Sequence, residues 1–96
     1  MKAFTLDDYI QKKIKSPAFK ERFDRELLIN TIAKMIIHIR HKAKLTQQQL
    51  AKKAGTTQAV IARLESGQDE RIPSLDLLSR IAGASNFKIK ISFIQN

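Results

Sequence analysis

The stretch that decides the fold is residues 46–67, which read TQQQLAKKAGTTQAVIARLESG. Thr46 is followed three positions later by a glutamine, the spacing of a reciprocal capping box, so a helix is predicted to begin here. Gly55 is suited to end it, because glycine adopts the left-handed conformation at little cost. Thr56 or Thr57 then caps a second helix, whose apolar residues recur at helical spacing. Two short helices joined by a tight turn are therefore predicted.

Further helices are predicted on both sides of this pair. Over Leu28–Ala43, apolar residues cover a broader face than a surface helix needs, so another segment or another chain should cover part of it. Ser74 caps a last helix that Gly83 ends. Residues 1–27 are predicted to form a helix up to Lys15, and a second that starts at Pro17 and runs on, with or without a kink. The fold class is thus mainly all-α, with five to six helices.

The carboxy-terminal tail has a different pattern. Residues 87–93 alternate between apolar and polar side chains, which is typical of a strand. One strand cannot satisfy its own backbone groups, so we expect it to pair with a second molecule through a dimer strand. The apolar residues of this strand are Phe87, Ile89, Ile91 and Phe93. The alternative is an extended tail that lies on the helices.

The predicted elements divide the chain into three regions: an extension over 1–27, a helical domain over 28–84 and a tail over 85–96.

Charge and composition indicate the class of partner. The 96 residues carry 18 Lys and Arg against nine Asp and Glu, a net charge of +9. Residues 1–26 contribute +2 and residues 27–96 contribute +7, so a polyanion should bind the second part. The alternative is a basic surface that serves only solubility. The chain has no cysteine, which excludes disulfides and thiolate metal sites.

Other functions find little support. Residues 1–15 do not read as a signal peptide and no apolar run is long enough to span a membrane, so we expect a cytoplasmic protein without a membrane partner. His38 and His41 lie three apart on a helix, but no carboxylate lies within a turn of them, so no metal site is predicted. Asp7 and Asp8 are adjacent and point apart. We predict no catalytic residues, no cofactor and no enzyme activity.

The outer face of the second short helix carries the functional prediction. Once Val60, Ile61 and Leu64 face inward, the residues left outside are Gln58, Ala59, Ala62 and Arg63. A solvated helix would more often display Glu and Lys there. Glutamine can pair with adenine, arginine with guanine, and alanine can touch a thymine methyl group. This is the layout of a helix-turn-helix, and it predicts DNA base readout by Gln58, Ala59 and Arg63.

Contacts to the DNA phosphates are predicted around the ends of the same helices. Helix N-termini present free N–H groups to anions. The side chains expected to add phosphate contacts are Gln47, Thr57, Lys44, Ser66 and Arg71. The alternatives are that Gln47 serves only the helix end and that Lys44 is a solvated lysine.

The stretch from Ile36 to Ala82 resembles the Cro/C1-type (XRE) helix-turn-helix family of phage repressors and bacterial regulators. The carrying motifs are LTQQQLA at 45–51, GTTQ at 55–58, IARLESG at 61–67 and PSL at 73–75. The resemblance implies a lambda-repressor-like helical domain that binds operator DNA as a homodimer, with the Gln58 helix in the major groove. It also implies a structural ion pair between Arg40 and Glu65, which we expect to be buried.

The flanking segments are similar to those of small HigA-type antitoxins of toxin–antitoxin modules. That resemblance rests on the helical segment before the domain, over 19–26, and on the short basic tail. It implies that the protein neutralises an mRNA-cleaving toxin, a basic RNase, and represses its own operon. The alternative is a free-standing XRE-family regulator with no toxin partner.

Overall fold

The computed structural model describes residues 17–95, in which four helices and no strand occur. The helices are α1 (Pro17–Lys42), α2 (Gln47–Ala54), α3 (Gln58–Ser66) and α4 (Leu75–Ala84). The helix expected before Lys15 lies outside these residues. The described residues contain four helices rather than five to six, and residues 17–42 form one helix that runs through the expected boundary at Leu28. No glycine or proline follows Pro17 in this segment, so nothing in its backbone interrupts the helix.

The ends of the short helices follow the local signals of the sequence. Thr46 and Gln49 form the reciprocal capping box, in which each side chain accepts a hydrogen bond from the other residue's backbone N–H, at 3.0 and 2.9 Å. Thr57, rather than Thr56, caps α3. Gly55 ends α2 with φ at 69°, a left-handed conformation that costs other residues strain.

The last helix differs slightly from the prediction at its carboxyl end. Ser74 caps its N-terminus, where the hydroxyl accepts a hydrogen bond from the Leu77 N–H at 3.1 Å. Gly83 lies within α4 and does not end it; the helix reaches Ala84. The left-handed residue that turns the chain is Asn86, with φ at 64°. Asparagine tolerates this conformation better than most residues, so a glycine is not needed here.

The core lies where the four helices meet. Its fully enclosed large side chains are Leu50 of α2, Ile61 of α3 and Ile81 of α4, and α1 contributes Ile36. Small buried residues of α2, among them Ala51, let the neighbouring helices approach closely. Packing on this core supplies most of the stability of α2 and α3, because helices of eight and nine residues are marginal alone.

The amino-terminal part of α1 extends beyond this core. Only Ala33 and Ile36 of the helix are buried, whereas Leu27, Leu28 and Met35 are about half exposed. The broad apolar face of this helix is therefore left partly uncovered by the described chain. That observation leaves room for the covering segment or second chain that the sequence predicts.

The predicted carboxy-terminal strand is absent from the described chain. Residues 87–95 have no regular secondary structure, and the predicted dimer-strand residues Phe87, Ile89, Ile91 and Phe93 are all exposed. The physical reason is that residues 17–95 of a single chain contain no other strand to pair with. Phe93 is 99% exposed, so the end of the tail does not pack on the helices either.

No helix within residues 17–95 combines the length and the apolar composition that a membrane span requires.

Arg80 of α4 fixes the turn between α2 and α3. Its Nη1 donates to the carbonyl oxygens of Ala54 and Gly55, at 2.7 and 3.0 Å, and its Nε donates to Asp76 at 3.1 Å. The last carbonyls of a helix have no partner within it, so an external donor satisfies them. One side chain thus joins α4 to the turn that sets the angle of α3.

We expect Arg80→Ala to lower the free energy of unfolding by about 2 kcal/mol, because the carbonyl oxygens lose a charged donor. Asp76→Ala is the matched control; it removes only the exposed partner and should cost below about 1 kcal/mol. Urea denaturation of the three proteins measures both values. Equal losses in the two variants would contradict this role for Arg80.

Candidate nucleic-acid interface

The outer face of α3 consists of short or polar side chains. Gln58, Ala59, Ala62 and Arg63 are exposed, whereas Ile61 and Leu64 of the same helix are buried. Packing of the inner residues on the core therefore directs the outer face to solvent. The three predicted base-reading residues, Gln58, Ala59 and Arg63, lie together on this face.

Thr57 stands at the N-terminus of that helix. Its hydroxyl accepts a hydrogen bond from the Val60 N–H at 3.3 Å, and the residue is exposed. The first N–H groups of a helix have no carbonyl partner within it, and the helix dipole makes this end favourable for an anion. Thr57 and these N–H groups therefore lie at the edge of the outer face, and the contact of Thr57 with phosphate stays a prediction.

The other predicted phosphate-contacting residues differ in their surroundings. Lys44 is exposed in the turn after α1, with φ at 56°. Gln47 is half-buried, and its Nε2 donates to Glu65 at 3.1 Å. The Ser66 hydroxyl donates to the carbonyl of Arg63 at 2.7 Å and accepts from the Gln68 N–H. The contact of each with phosphate stays a prediction.

Arg63 and Arg71 share one carboxylate, that of Asp69. Arg71 donates from Nε and Nη2 to the two carboxylate oxygens, each at 3.1 Å, and its backbone N–H donates at 2.9 Å. Arg63 forms an ion pair with the same group through Nε. The hydrogen bonds from Arg71 hold the pKa of Asp69 below its ordinary value, and the charge of Arg63 adds to this.

Sequence reasoning did not identify Asp69 as part of this site. The available signal was an aspartate two residues before an arginine in a polar loop, since aspartate side chains often accept from the backbone N–H two residues on. Nothing in the local pattern placed Arg63, which lies on the helix, against the same carboxylate.

The ion pair between Arg40 and Glu65 lies behind the outer face. The guanidinium donates from Nε and Nη2 to the two carboxylate oxygens at 2.6 and 2.9 Å. Its Nη1 donates to the carbonyl of Leu45 at 2.9 Å. The side chains are only 14% and 6% exposed. Together with the Gln47 contact, this network joins the end of α1, the start of α2 and the end of α3.

The pair changes the titration of both groups. Burial raises the pKa of Glu65, but the hydrogen bonds from Arg40 and Gln47 and the charges of Arg40 and His41 outweigh it, so the pKa lies below the ordinary value. The hydrogen bond to Glu65 raises the pKa of Arg40 against the opposing effect of burial. Glu65 therefore stays ionised in the folded protein down to a lower pH than in the unfolded chain.

We expect Glu65→Gln to lower the free energy of unfolding by about 2–4 kcal/mol at pH 7, because it leaves a nearly buried guanidinium without its anion. A depressed pKa contributes stability above the unfolded value, which is lost as the pH falls through the folded one. The difference between the two proteins should therefore shrink once the pH falls below 4.5, the ordinary value. Denaturation at a series of pH values measures it.

The double variant Arg40→Met, Glu65→Leu is the control for this prediction. It removes both charges, so it should recover much of the free energy of unfolding that Glu65→Gln loses. A difference between the wild type and Glu65→Gln that stays constant from neutral to acid pH would contradict the assignment.

Comparison with known proteins agrees with the helix-turn-helix fold. A helix-turn-helix family model matches residues 36–89, which are more than half of the chain. No curated protein and no solved structure matches the chain. The matched range spans the end of α1, all of α2, α3 and α4, and the Arg40–Glu65 pair. The chain belongs to the Cro/C1-type (XRE) helix-turn-helix family and is a DNA-binding regulator of that type.

Proposed function

We propose that this protein is a sequence-specific transcriptional repressor, without enzyme activity, that acts in the cytoplasm by binding operator DNA. The single observation that carries the proposal is the outer face of α3. Its side chains are exposed and either short or polar, whereas the inner face of the same helix is apolar and buried. In the major groove Gln58 pairs with an adenine, Ala59 touches a thymine methyl group and Arg63 pairs with a guanine.

Phosphate contacts supply much of the affinity. Lys44, Thr57 and Arg71 are all exposed, and residues 27–96 carry a net charge of +7. Gln47 and Ser66 add contacts from the polar ends of α2 and α3. Because bound cations leave the DNA when lysine and arginine replace them, the affinity falls steeply as the salt concentration rises.

The repressor acts as a homodimer. Two recognition helices then lie about 34 Å apart, one turn of the DNA helix, and read the two halves of a palindromic site. Support comes from the tail, where Ile91, Phe93 and Ile94 are between 57% and 99% exposed. A second chain that covers these side chains would remove apolar surface from water.

A second candidate function is that of an antitoxin. The observation that favours it is the apolar surface of α1 outside the core, formed by Leu27, Leu28 and Met35. A basic RNase toxin would bind here, next to residues 1–26, whose net charge is only +2. In that case the protein silences the toxin and represses its own operon. If the product of the adjacent gene does not co-purify with the protein, the alternative function, a free-standing regulator without a toxin partner, is favoured.

We expect Gln58→Ala to weaken binding to the selected site by about 1–3 kcal/mol and to relax the preference at one adenine. A duplex selected by the wild type from a randomised pool serves as the probe, and anisotropy titrations against single-base variants measure the preference. Gln68 is an exposed glutamine outside α3, so Gln68→Ala is the control and should keep the adenine preference. An unchanged preference in Gln58→Ala would refute the adenine contact.

Removal of residues 87–96 should convert the dimer to a monomer and reduce the affinity for a two-half-site duplex more than for a single half-site. The reason is that the apolar contact between chains is lost while α3 stays intact. Sedimentation velocity and DNA titration measure the two effects. An intact dimer after the deletion would show that the tail does not hold the chains together.

A further inference from the structure

Asp69 lies in the loop between α3 and α4, and nothing in the proposed function so far uses it. Its side chain is only 11% exposed, although it is charged. Three contacts from Arg71, two from the side chain and one from the backbone, hold the carboxylate in one orientation. The fourth contact is the ion pair with Nε of Arg63. Asp69 is thus held by Arg71 and in turn holds Arg63.

The atom through which Arg63 contacts Asp69 decides which edge of its guanidinium stays free to bind another group. The ion pair uses Nε, and the Nη1–Nη2 edge of a guanidinium points away from a group bound at Nε. The side chain of Arg63 remains 41% exposed, against 11% for Asp69. The carboxylate is therefore the more buried partner of the pair, and the guanidinium is the more exposed one.

This arrangement lowers the freedom of a flexible side chain. An unrestrained arginine loses much rotamer entropy when it is fixed in a groove, and a guanidinium held in advance loses less. Bidentate recognition of guanine requires two N–H groups in line with O6 and N7 of the base, so orientation matters as well as charge. For phosphate binding alone, a carboxylate beside the arginines would be unfavourable, because it lowers the local positive charge and weakens non-specific binding.

We propose that Asp69 is a positioning residue for base recognition, which orients Arg63 so that its Nη1–Nη2 edge reads a guanine. The inference rests on the proposed DNA-binding function of the outer face of α3. It assigns Asp69 to specificity and Arg71 to a dual role, as the support of Asp69 and as a phosphate contact.

The test compares Asp69→Asn with the wild type on a duplex that the wild type selects from a randomised pool. Asparagine keeps the size of the side chain but loses the charge and replaces one acceptor oxygen with a donor. We expect the preference for guanine over other bases at one position to fall by about fivefold or more. The sensitivity to 7-deazaguanine, which lacks the N7 acceptor, should fall with it. Affinity for an unrelated duplex should be equal or higher, because a negative charge is gone.

Glu70→Gln is the matched control. It removes the same charge from the neighbouring residue, which is exposed. Its effect on the affinity for an unrelated duplex should resemble that of Asp69→Asn, but its guanine preference should equal that of the wild type. In an Arg63→Ala background, Asp69→Asn should cause no further loss of preference. Equal guanine preference in Asp69→Asn and Glu70→Gln would overturn the inference.

A measurement on the wild type covers the case in which Asp69→Asn does not fold. The side chain of Arg63 should be less mobile than that of the exposed Arg22, as followed by NMR relaxation at Nε. Equal mobility of the two side chains would also overturn the inference. If the wild type selects no sequence from the pool, the proposed function fails and this inference with it. If the wild type selects a guanine and Asp69→Asn keeps that preference, the inference alone fails.

Discussion

The ion pair between Arg40 and Glu65 is the interaction on which the helix-turn-helix depends most. It joins two helices whose pairing residues are 25 positions apart. The same two side chains also contact Leu45, just before α2, and Gln47, its first residue. A nearly buried charge without a partner is costly, so this network allows few other arrangements of the three helices. The pair contacts no predicted base-reading residue directly, yet it sets the position of the helix that carries them.

The orientation of α3 has a second support on its other side. Arg80 bonds the carbonyl oxygens at the end of α2, and the apolar core holds the inner face of α3 through Ile61 and Leu64. A helix of nine residues is too short to be stable by itself. Its rigidity therefore comes from these tertiary contacts, and a rigid helix presents its outer side chains to DNA with little loss of entropy on binding.

The segments outside the helix-turn-helix show the opposite character. There the described chain leaves large apolar side chains in water, Met35 on α1 and Phe93 in the tail among them. Scattered exposed apolar residues are ordinary, but here most of the large ones lie on α1 and in the tail. The division fits a protein whose central unit binds DNA while its flanks bind other chains, as proposed above.

The sequence alone determined the features whose physical causes are local. The capping box of Thr46, the turn at Gly55 and the buried face of α3 each depend on residues within a few positions of one another, so the pattern of residues was sufficient. The resemblance to a known family added the Arg40–Glu65 pair, which no local pattern could place. Local reasoning was wrong where a feature needed a distant partner. Alternation over residues 87–93 predicted a strand, but a strand requires a neighbouring edge. Only the tertiary structure brought Arg63 of α3 to Asp69 of the following loop, and Arg80 to the end of α2, because such contacts arise from how helices pack and not from their sequence spacing.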